Sequence, residues 1–356
     1  MRLIATLTLL LGAANSVAAQ ETHLGIPVEK TGPEAQAAYD AWLPETATNW
    51  EYPAQVHLEA HMEMEMGMDM GEEVENMHVE IGFMFEVLHD SPEEMRSWGN
   101  GMVIVDGLGF DLNWTFEFQL ESKAEGARMS FKDNRALSQE MNFHLPSAYT
   151  LSADRVEKAV KGIHELTYSS LDSLSVNPFP PLEEEHGVFG MYHPAVITRL
   201  IATYPTSRVV GWGSKDGQVL VQTKPDFSIL DQSEIDAAGE AGQAVLDALA
   251  DVTYTISLEE KTGSMVAYGV EESIPMDAFF PAEGGLTGKL TMMMAMKRVP
   301  VSADAPVVTF PEDETVLDCN VPFDKYWGML EMVIELQEAQ LEAAEDQAES
   351  DEDFDF

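Results

Sequence analysis

The stretch AQVHLEAHMEMEMGMDM, residues 54 to 70, alternates without a break. Val56, Leu58, Ala60 and five methionines take the even positions, while Gln55, His57, Glu59, His61, Glu63, Glu65, Gly67 and Asp69 take the odd ones. Strict period-2 alternation is the signature of a strand with one buried face, because successive side chains point to opposite sides of a pleated chain. Residues 75 to 88, ENMHVEIGFMFEVL, repeat the pattern on odd positions: Met77, Val79, Ile81, Phe83, Phe85 and Val87. A turn around GEEV (71–74) then pairs Met68 with Met77, Met66 with Val79, Met64 with Ile81 and Met62 with Phe83. Apolar meets apolar throughout, and a one-residue slip would break every pair.

The series continues. MVIV (102–105) leads to a turn at Asp106-Gly107, and FDLNWTFEFQLE (110–121) alternates again before ARMSFKD (127–133). The glycines of GNG (99–101) read as a turn. The middle of the chain changes period. SADRVEKAVKGIHEL (152–166) sets Val156, Ala159, Val160, Ile163 and Leu166 at helical spacing behind Ser152 as N-cap. HPAVITRLIATYP (193–205) and SEIDAAGEAGQAVLDALAD (233–251) read as further helices, with the proline-rich loop NPFPPLEEEHG between the first two. PEAQAAYDAWL (33–43) is a short N-terminal helix. SRVVGWGSKDGQVLVQT (207–223) is a hairpin, and VTYTISLEE, GSMVAYGVEE and LTGKLTMMMAMKRV are strands. In the last, Leu290, Met292, Met294 and Met296 share a face. The expected fold is α+β: a single large twisted antiparallel sheet, a half-barrel, curved over two or three helices, plus a C-terminal helix. Its apolar face is too large to be left in water.

The first residues, MRLIATLTLLLGAANSVAAQ, have the layout of a secretory signal peptide: Arg2, an apolar run, and a small-residue cleavage site at Val17-Ala18-Ala19. The expected division is a signal peptide at 1–19, a half-barrel domain at 20–324, a helix at 325–341 and a disordered acidic tail at 342–356. That tail has eight acids and no base. The location expected is periplasmic or secreted. No later stretch is apolar for long enough to form a membrane helix. Asp and Glu number 63 against 19 Lys and Arg, a formal net charge of −44. Such a surface repels phosphate backbones and excludes nucleic acid as a partner. Cys319 stands alone, so stability must come from a core rather than from disulfides. In LDCNVPF it has no recognisable base beside it and reads as a small buried residue.

This order of elements, with the stretch VPVSADAPVVTFPEDETVLD (299–318), resembles the LolA/LolB-like periplasmic lipoprotein-carrier fold across roughly residues 30 to 324. In such domains the last strand hydrogen-bonds into the sheet before a Phe-Pro turn. The resemblance implies an incomplete barrel closed by helices, with an apolar cavity for acyl chains between sheet and helices.

Function has to be read from the apolar face. Thioethers bind soft metals, so the methionine ribbon is open to a Cu(I)-binding reading. Yet its expected cross-strand partners are Phe and Ile, and no His shares its face. Methionine in place of the usual Val or Ile suits a surface that repacks around variable guests. The expected function is therefore non-enzymatic: binding a hydrophobic small molecule, lipid or lipidated protein, with no cofactor and no metal. The residues expected to line the site are Met62, Met64, Met66, Phe83, Phe85, Trp114, Phe116, Met292, Met294 and Met296. A structural domain without a ligand is the other alternative. An outer-membrane barrel is opposed by the helices and the acidic C-terminus. On the polar face, His57 and His61 lie about 13 Å apart along an extended strand, too far to chelate together. EEEHGVFGMYH (183–193) lacks any metal-binding spacing, GWGSKDG (211–217) is a hairpin turn with no helix behind it, and no nucleophile elbow is present.

Overall fold

The computed structural model describes residues 25–42, 52–69, 74–91, 94–107, 109–123, 125–140, 146–158, 207–226, 243, 250, 252–275, 286–310, 316–325 and 328. In chain order these form β1 (Lys30–Thr31), α1 (Pro33–Trp42), β2 (Ala54–Asp69), β3 (Val74–Ser91), β4 (Glu94–Gly107), β5 (Phe110–Lys123), β6 (Gly126–Asp133), α2 (Ala136–Glu140) and β7 (Ala148–Ser152). Then follow β8 (Ser207–Lys215), β9 (Gln218–Pro225), β10 (Thr253–Glu259), β11 (Met265–Pro275), β12 (Leu286–Val299) and β13 (Val316–Asp318). Helical residues also occur at 153–158 and 320–325.

The strands make one 13-stranded open sheet in the order β1-β8-β9-β10-β11-β12-β2-β3-β4-β5-β6-β7-β13. Two antiparallel meanders, β2–β7 and β8–β12, meet where β12 pairs with β2. The short pieces β1 and β13 reach the two outer edges. The α+β class stands, but the sheet is mixed rather than wholly antiparallel, because β13 pairs parallel with β7. A chain crossing from mid-sheet to a distant edge can arrive in either direction, and three residues carry no periodicity that announces it.

Parity in the β2–β3 hairpin is as the alternation predicts, but the pairing is offset by two positions. Met66, not Met68, faces Met77; Met64 faces Val79, Met62 faces Ile81 and Ala60 faces Phe83. A shift of two leaves every side chain on its expected face, so hydrophobic matching cannot distinguish the two registers. The GNG turn is also corrected. Gly99 and Gly101 lie inside β4, opposite Phe85 and Phe83 on one side and Phe118 and Phe116 on the other. Glycine in a strand interior marks a close approach, here of aromatic rings from both neighbours.

The main core lies on the apolar face over β8–β12 and the start of β2. Val219, Val221, Ile256, Leu258, Tyr268 and Val270 pack there with Trp212 and with Ala35 and Tyr39 of α1. Pro33 occupies the first turn of α1, where a missing N–H costs nothing. Val209 and Gly211 flank a register shift in β8, and the Val209 N–H donates to Gln36 Oε1 at 2.9 Å. The Trp42 indole donates to the carbonyl of Glu260 at 2.9 Å, closing the far end of the helix onto the β10–β11 turn. A smaller cluster joins Met95 to Val156 of the 153–158 helix, which begins directly after Ser152 as expected. The 193–205 helix, the signal peptide, the acidic tail and most of the 152–166, 233–251 and 325–341 helices lie outside the described residues.

After β12 the chain crosses the opposite, polar face as a strap over a single row of the sheet. Gln55, Leu88, Arg96, Glu121 and Arg128 are successive cross-strand neighbours in that row. Ser302 N–H donates to Gln55 Oε1 at 2.7 Å, and Arg96 Nη1 donates to the Ala305 carbonyl at 3.2 Å. Val308 is buried, and the ring of Phe310 sits 4.5 Å from the Arg128 guanidinium. The strap explains why Gln55, Leu88 and Glu121 are buried on a face that is otherwise polar. Beyond β13, Cys319 N–H donates to the Thr150 carbonyl at 2.8 Å, and Arg155 grips Asp324 through two hydrogen bonds of 3.0 and 2.8 Å.

Candidate functional site

Alternation and register together put all the expected lining residues on one face. Met62 stands between Ile81 and Met292, Met64 between Val79 and Leu290, and Met66 between Met77 and Gly288. Phe85 and Met296 flank Leu58, Phe83 and Met294 flank Ala60, and Phe116 lies across Gly101 from Phe83. Trp114 pairs with Val103 in the next row. The face is continuous, yet it divides into two zones that the sequence does not separate.

Over β8–β12 the face is closed. Met292 and Met296 are only 3 % and 7 % exposed and belong to the packed core, with Met62 and Met294 against them. Those methionines fill space within that core, as an unbranched side chain can. Over β3–β6 the face is open: Phe83 is 37 % exposed, and Phe85, Trp114 and Phe116 are half-buried. Here the rings form a pavement. Phe116 stacks on Phe131 at 5.3 Å and 28°, Trp114 lies 4.6 Å from Phe116, and Phe85 meets Phe118 edge-on at 6.1 Å. The Trp114 indole donates to Asp133 Oδ2 at 2.8 Å, which fixes the ring's tilt. Gly101 is what lets the pavement lie flat. A Cβ there would come within 2.4 Å of Phe116 Cζ and 2.9 Å of Phe83 Cδ1. Phe131 and the two glycines are members that alternation alone does not single out. The signal was present as glycines set between aromatic strands, a pairing in which the ring covers the bare backbone.

The polar face of β2 and β3 carries a ladder of histidines and carboxylates. His57 Nδ1 lies 2.7 Å from Glu86 Oε1 and its Nε2 lies 3.1 Å from Glu59 Oε1. His61 approaches Glu80 at 3.8 Å, and His78 approaches Glu63 at 3.9 Å. Burial pulls the His57 pKa down, but hydrogen bonds to Glu59 and Glu86 and the charges of both outweigh it, leaving the group above its ordinary value. Glu63, Glu65 and His78 bring one ligand atom each to within 4.8 Å of one another. Exposed acids reach such spacing readily, and all three residues are at least partly exposed. The thioethers of Met62, Met64 and Met66 face away from this ladder, whereas Met84, Met102 and Met293 share its face beside His61. His89 shares the methionine parity in β3 but pairs with Ala54 at the far end of β2.

A shallow trough of about 690 Å³ also crosses the polar face, with Glu59, His61, Met84, Asn100, Met102 and Glu117 among its walls. Its acids, amide and thioethers are spread across neighbouring strands β2 to β5. Cys319 is half-buried rather than buried, with its Sγ 3.8 Å from the Leu317 carbonyl. Burial and then the neighbouring Asp318 push its thiol pKa up, against thiolate chemistry. No helix among the described residues is long and apolar enough to cross a membrane. No protein-family model matches the chain, and no curated protein matches it.

Proposed function

We propose that this is an exported, non-enzymatic protein that holds a hydrophobic ligand, an acyl chain or the lipid part of a larger molecule, on the open aromatic zone over β3–β6. The observation that carries this reading is the contrast along one face: Met292 and Met296 buried in the core, and Phe83, Phe85, Trp114 and Phe116 left partly exposed on the strands beyond β2. A monomeric surface rarely leaves so many large rings adjacent and wet without a guest for them. The likeness in element order to the LolA/LolB-like carriers supports the same reading. Binding would be driven by area, at about 0.8 kcal/mol for each methylene removed from water. Met64 and Met66, further along β2 on the same face, would supply an adaptable border.

The test is equilibrium binding of a fluorescent C16 fatty-acid analogue to the purified protein, with native mass spectrometry of protein isolated from its own host. Saturable binding that Phe83→Asp and Phe116→Asp each weaken by about tenfold or more supports the reading. Met292→Leu, in the closed zone, should leave it unchanged. Absence of saturable binding, or equal binding by all variants, removes it.

A further inference from the structure

We propose that His57, in its protonated form, latches the strap: a hydrogen-bond chain running Ser302–Gln55–Glu86–His57–Glu59 fastens residues 300–310 to the polar face, and the neutral imidazole breaks it. The links are all short. Ser302 N–H donates to Gln55 Oε1 at 2.7 Å, and Gln55 Nε2 donates to Glu86 Oε2 at 3.0 Å. Glu86 Oε1 and Glu59 Oε1 then lie 2.7 and 3.1 Å from the two ring nitrogens of His57. Carboxylates only accept, so both contacts are hydrogen bonds only when both nitrogens carry protons. A neutral ring has one N–H, and its bare nitrogen would face a carboxylate lone pair. Glu86 is the link that matters to the strap. It orients the Gln55 amide so that the carbonyl oxygen meets Ser302, and it keeps that position while the imidazolium holds its other oxygen.

The charges around His57 are unequal. Glu59 on its own strand and Glu86 on β3 favour the proton. Lys297, directly across on β12, opposes it. His61 and Glu80 follow in the ladder, and Asp304 is the nearest charge on the strap, two residues beyond Ser302. Because the folded-state pKa is raised, the latch is fully present below the unfolded histidine value and is lost as pH rises through the folded one. The strap is therefore tightest in mild acid, the reverse of what paired carboxylates alone would give. Its second fastening does not titrate in this range: Arg96 holds the Ala305 carbonyl and is itself clamped by Asp90 at 2.8 Å through two nitrogens. Loss of the proton thus frees the Ser302 end, not the whole strap.

The test uses amide hydrogen exchange of the full chain from about pH 5 to about pH 9, corrected for intrinsic rates, alongside NMR titration of the histidine rings. Protection of the Ser302 amide should fall by about fivefold with the loss of one hydrogen bond. Its midpoint should coincide with that of His57 and lie above 6.5, the ordinary histidine value. His57→Gln should abolish the step, and His61→Gln, one position further along the ladder, should retain it. Flat Ser302 protection across the His57 titration, a step that survives in His57→Gln, or a His57 midpoint below 6.5 overturns the proposal.

Discussion

Gly99 and Gly101 sit two positions apart in β4, and a methyl group on each would meet a different obstacle. At Gly99 the new Cβ would fall 2.2 Å from the Met84 carbonyl oxygen and 2.6 Å from Phe85 Cα, so backbone would have to move. At Gly101 it would meet the outer atoms of two rings, which can tilt. Gly99→Ala should therefore cost about 3 kcal/mol and Gly101→Ala about 1 kcal/mol, read as shifts in the urea midpoint at constant slope. A reversed order would mean that the strands yield more easily than the pavement. Gly101→Ala should also weaken fatty-acid binding, since it disturbs Phe83 and Phe116 together. At this scale the sequence is legible in one respect and silent in another. Parity alone puts every lining residue on the same face. Nothing local tells Met292 from Phe83, because the difference lies in long-range packing: Met292 joins a core assembled from β8–β12, β2 and α1.

Among the elements, α1 is the clearest case of structure held by packing. Its 10 residues are too few for a stable helix in water, so its order depends on the face it buries. Tyr39 is the pivot, with its ring 6.1 Å from Trp42 and 6.5 Å from Trp212. Burial, reinforced by the neighbouring Asp40, raises the Tyr39 hydroxyl pKa well above its ordinary value, so it stays neutral in the core. Tyr39→Ala should cost about 3–5 kcal/mol by chemical denaturation. It should also red-shift tryptophan emission as Trp42 and Trp212 become wet; a large loss of stability without that shift would place the damage elsewhere. Long elements such as β2, β3, β5 and β12 are legible to within a few residues because alternation over many positions leaves no second interpretation. The hairpin register is not, because a two-position slip conserves every face. β1, of two residues, and β13, of three, have no period to read at all. They exist because the sheet's edges offer unpaired backbone to whatever segment arrives.

For the molecule as a whole, a net charge of −44 and an open sheet pull in related directions. Acids crowd the polar face: Glu63 and Glu80 are direct cross-strand partners, with Glu65 one step away, a like-charge arrangement that destabilises a sheet. The same charge protects the open edges. Short edge strands and a strongly negative surface both discourage edge-to-edge association, so the repulsion that weakens the fold also opposes pairing between copies. Salt should separate the two effects. Raising NaCl from about 0.01 M to about 1 M shortens the screening length from about 30 Å to about 3 Å. Relief of repulsion should then raise the melting temperature, by about 2 °C for each kilocalorie per mole recovered in a chain of this size. Most of the gain should come below about 0.15 M, where the screening length falls to the spacing between neighbouring surface charges. NaCl and KCl should act alike. A gain that keeps growing into molar salt, and is larger in sulfate at equal ionic strength, would belong instead to exclusion from apolar surface. Stability would then be limited by the half-open aromatic zone rather than by charge, and adding the fatty-acid analogue should recover the same increment at low salt.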